Sequence, residues 1–458
     1  MKLKFIGAAQ TVTGSKIEVE HHGFKLLIDC GLFQGPKEIR QLNWDEFEGA
    51  ETYQAVILTH AHVDHSGYLP KLCKEGFRGP IYCSHATKDL AEILLLDAAY
   101  LQEEDARFAN LTKHSMHEPA LPLYTIEDAQ VANHRLQPRS MHEWHVLSPH
   151  LSFRFLRAGH ILGSCIVQLQ YFENESNKIV TFTGDLGGGR SNVIKDPETI
   201  IETDYLVCES TYGDRCVPQF NPDELATIIS KVISRGGTIV IPAFAVGRTQ
   251  ELLYLIHQLE VQQKIQDVHV YVDSPMAQDV TAVYANYDWE LKAGEKGADV
   301  EFSLCCQNFH PVKSSDESML LCMNDSPKIV ISASGMLQGG RVLHHLKTKL
   351  PQEKNGVLFV GYQGIGTKGR LLKNGLRNIR IHHMNVDVEA EIFSIESLSA
   401  HADSDELVGW MKHIQKPPQK TFLVHGEVES QRALYYRVTN ELNWDCEIPS
   451  PGEIFTLE

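Results

Sequence analysis

Four side chains able to hold a metal fall within six residues, His60, His62, Asp64 and His65 in the run His-Ala-His-Val-Asp-His. Imidazole nitrogen and carboxylate oxygen in combination suit zinc. The run follows the apolar segment Ala55 to Thr59, which reads as a strand, and Gly67 follows it. A strand tip presents such donors to one point in space, and a polar loop with chance histidines fits that density poorly. Two further donors stand in similar settings, His160 in Ala-Gly-His-Ile-Leu-Gly-Ser and Asp185 after the strand-like Ile179 to Thr183. Glycines flank both and let backbone crowd a site, although either residue taken alone more often serves a turn.

A second kind of chemistry is anion binding. From Gly361 to Arg370 the chain reads Gly-Tyr-Gln-Gly-Ile-Gly-Thr-Lys-Gly-Arg. Close-set glycines such as Gly364 let backbone amides approach a phosphate, and Thr367, Lys368 and Arg370 add donors and charge. The spacing is not that of a Walker loop. Lys373, Arg377 and Arg380 extend a basic strip that a solvated helix face explains as well. His114, His117, His134 and His142 lack tight spacing and carboxylate company and read as an exposed linker.

The elements that must position these groups are visible as short runs rich in Val, Ile, Phe and Thr. In the first half these are Lys2 to Gly7, Lys16 to Val19, Phe24 to Asp29, Ala55 to Thr59, Leu151 to Leu156, Ile166 to Tyr171, Lys178 to Thr183 and Tyr205 to Glu209. Helical spacing runs from Thr87 to Leu101. After Glu209 strands and helices alternate, which predicts a parallel sheet of βαβ units: helix 222–234, strand 237–241, helix 248–263, strand 268–272, strand 328–331, helix 340–350, strand 356–360. From Glu391 come a strand, a helix near Ser404 to Ile414, the strand Thr421 to Val424 and a last helix. With 458 residues, 43% hydrophobic and 22% charged, the chain can bury the core of two domains.

Ten scattered cysteines without a CxxC pair suit reduced thiols, not a disulfide framework. No apolar run approaches the length of a membrane span, and Met1 to Phe5 lacks the pattern of a signal peptide, so a cytoplasmic location and no membrane partner are expected. A net charge of −17 argues against a protein that coats nucleic acid, so RNA binding would need a local basic strip.

Taken in order, Asp29 in Asp-Cys-Gly, the His60 to His65 run, His160 and Asp185 resemble the four successive metallo-β-lactamase motifs. Glu209 in Glu-Ser-Thr-Tyr-Gly, His401 in Ser-Ala-His-Ala-Asp and His425 in Val-His-Gly-Glu resemble motifs A, B and C of the β-CASP nucleases. The resemblance spans nearly the whole chain. Within that group the chain looks like the bacterial and archaeal relatives of the endonuclease subunit that processes pre-mRNA 3′ ends, without room for the amino-terminal KH domains of the archaeal forms. It implies an α/β fold, an αββα metallo-β-lactamase sandwich (residues 1–208 and 391–458) with an inserted β-CASP domain (209–390) built on a parallel-rich sheet flanked by helices. It implies two zinc ions per chain, one held by His60, His62 and His160, the other by Asp64, His65 and His425, with Asp185 bridging and Asp29 orienting a ligand or the attacking water. The implied reaction is hydrolysis of single-stranded RNA phosphodiester bonds by a hydroxide activated by two metals, with Asp64 and Asp185 at the centre. His401 would be the general acid and Glu209 the carboxylate that keeps it protonated. Ser274 and Ser334 lie in segments that resemble β-CASP stretches beside the cleft, and each reads either as a phosphate contact or as the cap of the helix that follows.

A small thioesterase or lactamase shares the metal fold, but the insertion after Glu209 speaks against it. DNA cutting is disfavoured because motif C of the DNA-repair branch carries valine where this chain has His425. A silent RNA-binding subunit would have lost ligands, and none is lost. Endonuclease and 5′–3′ exonuclease action stay open, as does a homodimer.

Overall fold

Alternating apolar residues make strands with one greasy face, and such a face is stable only against another layer. The computed structural model describes residues 1–112, 118–173, 176–292, 304–361, 363–364 and 366–458; His114 and His117 lie outside the described residues. Residues Met1–Gly189, Asp196–Cys216 and His401–Glu458 form one compact unit, and Arg190–Lys195 with Val217–Ala400 form a second.

The first unit stacks two seven-stranded sheets. One runs in the spatial order Ile454–Thr456, Lys2–Gly7, Lys16–His21, Phe24–Ile28, Ala55–Ile57, Ile81–Cys83, Leu136–Pro138. The other runs Cys446–Glu447, Lys420–Val424, Tyr205–Glu209, Ser176–Phe182, Cys165–Glu173, Leu151–Arg157, His145–Ser148. Their facing sides close one core, with Leu3, Phe5, Val19, Leu26 and Ile57 against Phe155, Val167, Val180, Val207 and Phe422. Behind the second sheet, Leu206, Cys208 and Leu423 pack on helices Ser404–Met411 and Val428–Glu441 through Leu407, Met411, Leu434 and Val438. The long helix His85–Thr112 lies beside strand Leu136–Pro138 of the first sheet. The layering is therefore helix, sheet, sheet, helix.

The second unit holds a six-stranded sheet in the order Phe309–Pro311, Val270–Asp273, Lys328–Ser332, Thr238–Pro242, Gly356–Val360, Glu391–Ile395, parallel throughout. Its two faces bury opposite sets of residues. Ile239, Ile241, Val270 and Ile329 meet helices Pro222–Ser234 and Arg248–Val261, while Val240, Val357 and Phe359 meet helices Val342–Lys349 and Lys368–Lys373. Continuous apolar runs buried on both faces are what a parallel sheet requires.

Several expectations differ from the structure; the second unit, expected to begin at 209, comprises Arg190–Lys195 and resumes at Val217. Strand Glu391–Ile395 joins the parallel sheet beside Gly356–Val360, so the second unit reaches Ala400 where the sequence places the change at residue 390. A strand's apolar pattern does not say which sheet it will enter. The stretch read as a linker around His134 and His142 contains helix Ile126–Asn133 and strand Leu136–Pro138. That helix is opened by a reciprocal Thr125 and Asp128 cap but buries only Ala129 and Ala132, too little to register as a periodic face. All ten cysteines are free, and no helix among the described residues is long and apolar enough to cross a membrane.

Candidate metal centre

Strand register gathers the donors. In the second sheet, strands Ser176–Phe182, Tyr205–Glu209 and Lys420–Val424 run parallel, with Phe182 opposite Val207 and Glu209 opposite Val424. Their carboxyl ends therefore deliver Asp185, Glu209 and His425 to one edge. In the first sheet Phe24–Ile28 runs parallel to Ala55–Ile57 and delivers Asp29 beside His60. The short helix Val63–Ser66 then turns Asp64 and His65 back toward the same edge. His160 sits in the turn between strands Leu151–Arg157 and Cys165–Glu173, with its backbone N–H donating to Ser164 Oγ at 3.0 Å.

Close backbone packing makes this possible. A Cβ added to Gly31 would lie 1.6 Å from the Asp64 carbonyl oxygen, so only glycine lets the Asp29 strand end pass the ligand helix. Ser15 N–H donates to the same Asp64 oxygen at 2.8 Å, and Cys30 N–H to His65 O at 2.7 Å. His425 itself adopts a left-handed backbone (φ 51°), unusual for a residue with a Cβ.

The donor atoms form two groups. His62 Nδ1 lies 3.1 Å from His60 Nε2 and 3.2 Å from His160 Nε2. Asp185 Oδ2 lies 3.5 Å from His60 Nε2 and 3.4 Å from His160 Nε2. In the second group His65 Nε2 and His425 Nε2 are 3.0 Å apart, Asp64 Oδ2 is 3.6 Å from His425 Nε2, and Asp185 Oδ1 is 3.2 Å from His65 Nε2. A tetrahedron with arms of 2.0–2.1 Å has edges of about 3.3 Å, so both groups have the spacing of ligands around a small divalent metal.

Hydrogen bonds fix which way each ring faces. Asp29 Oδ2 accepts from His65 Nδ1 at 2.7 Å, and although burial opposes charge on this ring, the Asp185 and Asp29 carboxylates raise its pKa well above the ordinary value, while Nε2 faces the site. Asp29 is itself held by Thr59 N–H (2.8 Å), Thr59 Oγ1 (3.0 Å) and Ser15 Oγ (3.2 Å). The Thr59 hydroxyl donates to Asp29 and so accepts from His60 Nδ1 at 3.1 Å, which turns a lone pair inward. Thr211 Oγ1 donates to His425 O and accepts from His425 Nδ1, both at 3.1 Å. His65 Nε2 and His425 Nε2 face each other at 3.0 Å, a separation that fits two nitrogens on one small cation. Asp185 Oδ1 is buried and accepts no hydrogen bond among the described residues, as a carboxylate awaiting a metal would.

Burial, then the neighbouring His65, holds the His60 imidazole well below its ordinary pKa, and burial lowers His62. Both favour the neutral form that binds metal. Burial opposes charge on Asp185, but the imidazoles of His425, His65 and His60 outweigh it and keep the carboxyl well below the usual range.

Glu209 is buried, accepts from Leu186 N–H at 2.6 Å, and stands 3.1 Å from His401 Nδ1. His401 precedes helix Ser404–Met411, whose first turn is capped by Asp403. Burial would lower the His401 pKa, yet the Glu209 and Asp185 carboxylates prevail and raise it to about 9. His401 Nδ1 faces Glu209, while its ring centroid lies 4.4 Å from that of His160. Ligand atoms of Asp185, Glu209 and His401 lie within 4.8 Å of one another. Every expected metal and acid residue is thus brought together in the first unit. Sequence reasoning assigned no role to Ser15, Thr59, Thr211 or Gly31, although Gly31 and Thr211 lie inside the Asp-Cys-Gly and Glu-Ser-Thr-Tyr-Gly motifs and Thr59 precedes His60 directly; Ser15 had no positional signal.

The anion-binding candidates all lie in the second unit. Ser274 Oγ accepts from Ala277 N–H at 3.2 Å and caps helix Pro275–Ala285. Thr367 Oγ1 accepts from Arg370 N–H at 3.2 Å and donates to Gly364 O at 2.8 Å. Ser334 Oγ accepts from Gln338 N–H at 3.3 Å. Lys368 and Arg370 are half-buried on the first turn of helix Lys368–Lys373.

Residues 17–155 match the metallo-beta-lactamase superfamily, 249–372 the Beta-Casp domain, and 385–449 the Zn-dependent metallo-hydrolase RNA specificity domain. The chain is 35% identical to Ribonuclease TTHA0252 of Thermus thermophilus, over 95% of each chain. It is 34% identical to the RNase J-like protein of Methanocaldococcus jannaschii, over 99% of each. Against the Transcription termination factor FttA of the same archaeon identity is 30%, over 93% of this chain and 67% of that one. A solved structure of a protein of unknown function from Enterococcus faecalis V583 shares the fold, with TM-score 0.54, 14% identity and coverage of 100% and 99%.

Proposed function

The chain belongs to the metallo-β-lactamase β-CASP ribonuclease family, and on that premise we propose that it hydrolyses single-stranded RNA at two zinc ions, as an endonuclease with 5′–3′ exonuclease action open at the same site. The observation that carries this reading is the donor spacing: two groups of His and Asp atoms with edges of 3.0–3.6 Å, sharing Asp185. His60, His62 and His160 would hold one ion, Asp64, His65 and His425 the other, and Asp185 would join both. Zinc, when bound, supplies Lewis acidity and a neutral-pH source of hydroxide.

The chain's own residues do the rest. Asp29, Thr59 and Thr211 fix the imidazoles so that no reorganisation is needed on binding. Hydrolysis breaks a P–O bond and leaves a developing alkoxide that needs a proton. His401, kept protonated by Glu209, donates it from Nε2, the nitrogen turned away from that carboxylate. Lys368 and Arg370 supply charge for phosphate, and Ser274 and Ser334, whose oxygens among the described residues only accept from backbone N–H groups, keep a hydroxyl proton to donate, whereas Thr367 already donates to Gly364 O. With no membrane-spanning helix described, a cytoplasmic site of action fits a protein with free thiols.

The test pairs metal analysis with cleavage of a circular RNA. About two zincs per chain and linearised circles are expected; zinc near zero after chelator-free purification, or cutting only of RNAs with a free 5′ end, would sink the corresponding half of the reading.

A further inference from the structure

The parallel sheet of the second unit has a point where its connections part. Strand Thr238–Pro242 leaves through helix Arg248–Val261 on one face, and its neighbour Lys328–Ser332 leaves through helix Val342–Lys349 on the other. In open α/β sheets the crevice outside the carboxyl ends at such a point binds ligands. Here it is lined by residues 243–248 and 332–337, with the Gly361 loop beside them.

Phe244 is the anomaly in this crevice. Its neighbours Ala243, Ala245 and Val246 are 1%, 6% and 3% exposed, yet the Phe244 ring is 44% exposed. The backbone beneath it is fixed, since Thr249 N–H and Oγ1 both donate to Phe244 O, at 3.2 and 2.8 Å, and Gln250 Nε2 donates to Ala245 O at 3.1 Å. One edge of the ring rests on the Gly335 backbone, where an added Cβ would stand 3.1 Å from it. Across the crevice, Gln363 Nε2 donates to Gly335 O at 3.1 Å, and the Arg248 guanidinium lies over Gly361, 3.4 Å from where a Cβ would be. In a chain of net charge −17, residues 243–248, 332–337 and 361–370 carry Arg248, Lys368 and Arg370 and no carboxylate. Beside them Gly361 N–H donates to Ile395 O, and Glu396, the next residue, is paired with Lys373. An exposed, preordered aromatic face beside segments that carry three cations is the chemistry that holds a nucleotide strand, base on ring and phosphate on cation.

We propose that this crevice is a nucleobase-binding subsite in which one base of the RNA stacks on Phe244. The proposal rests on the ribonuclease reading above. Phe244 is a positioning residue, so its loss falls on substrate capture more than on the chemical step.

The test measures kcat and KM for Phe244→Ala, Phe244→Leu and Phe244→Trp on a single-stranded RNA and on a matching oligomer of abasic ribose-phosphate units, with zinc content and Tm as controls for folding. Phe244→Ala should raise KM on the RNA about 5- to 150-fold, the range for one lost stack. Trp should restore capture and Leu should not, and on the abasic oligomer the wild type and all variants should converge. Equal rescue by Leu, an equal loss on the abasic oligomer, or an unchanged KM for Phe244→Ala would overturn the subsite while leaving a working ribonuclease. A wild type that neither binds nor cuts RNA would sink the ribonuclease reading, and the subsite with it.

Discussion

Two histidines of this centre have opposite tasks, and their partners decide which. His65 faces Asp29 through Nδ1, and its other nitrogen points at His425, the geometry the proposed ligand set needs. His401 faces Glu209 and keeps its proton. Removing the acid should therefore cost rate without costing metal: His401→Ala is expected to lower kcat about 10²- to 10⁴-fold with zinc content unchanged. Parallel loss of zinc would make the residue structural. Asp29→Ala should do the reverse and weaken zinc binding about 10- to 100-fold, read by competition with a chelator. A third residue, Lys16, tests a buried charge whose ammonium also donates to Gly31 O. Lys16 is buried over the rings of Phe33 and Tyr68 at 4.6 and 4.4 Å, and burial lowers its pKa from 10.5 to about 8. Below pH 8 the folded state carries this charge at full cost, on the order of 3 kcal/mol before the ring contacts offset part of it. Between pH 8 and 10.5 the unfolded chain keeps a proton that the folded chain releases, so this contribution to stability rises with pH. Lys16→Met should be relatively most stable at pH 7, with its Tm advantage over the wild type shrinking toward pH 10. A Tm difference that does not move with pH would show the amine to be protonated in the folded state throughout, its pKa unshifted by burial.

At the scale of elements, most of what positions the site was legible because strands announce themselves one at a time. The segments predicted around Asp29, His60, Asp185 and Glu209 are strands ending beside those residues. Pairing was not legible, because it depends on residues far apart. Nothing local says that Val424 lies opposite Glu209 or that Glu391–Ile395 enters the other sheet. Helix His85–Thr112 outran its expected Thr87 to Leu101 because its last turns leave Leu101, Phe108 and Leu111 exposed and break the periodic face. Ser274 shows the limit on side chains, since sequence offers a cap and a phosphate contact on equal terms. With its oxygen on Ala277 N–H and its proton given to phosphate, Ser274→Ala should lower stability by about 1 kcal/mol and raise KM for RNA. An unchanged KM would leave the hydroxyl to the cap alone.

For the whole molecule, the donors come from residues 29 to 65, 160 to 185, 209, 401 and 425, so the centre integrates nearly the full length of the chain. Motif order made this recognisable, whereas what the hydroxyls of Ser15, Thr59 and Thr211 bond was not, because Ser and Thr are common and their partners lie elsewhere in the chain. Chelation should lower Tm, and zinc should restore it in proportion to its free concentration, because a metal that binds only the folded state stabilises it by mass action. A Tm indifferent to chelator would mean that the site is held by the protein alone. The pairing of His65 with His425, 360 positions apart, also has a meaning in time. At about 5–20 residues per second of synthesis, His65 leaves the ribosome roughly 20–70 s before its partner. Strand Lys420–Val424, which places that partner, sits inside the second sheet and must also arrive late. On the proposed ligand set, a nascent chain beside ribosomal RNA and its own message would carry an unfinished blade, able to cut only as translation nears its end.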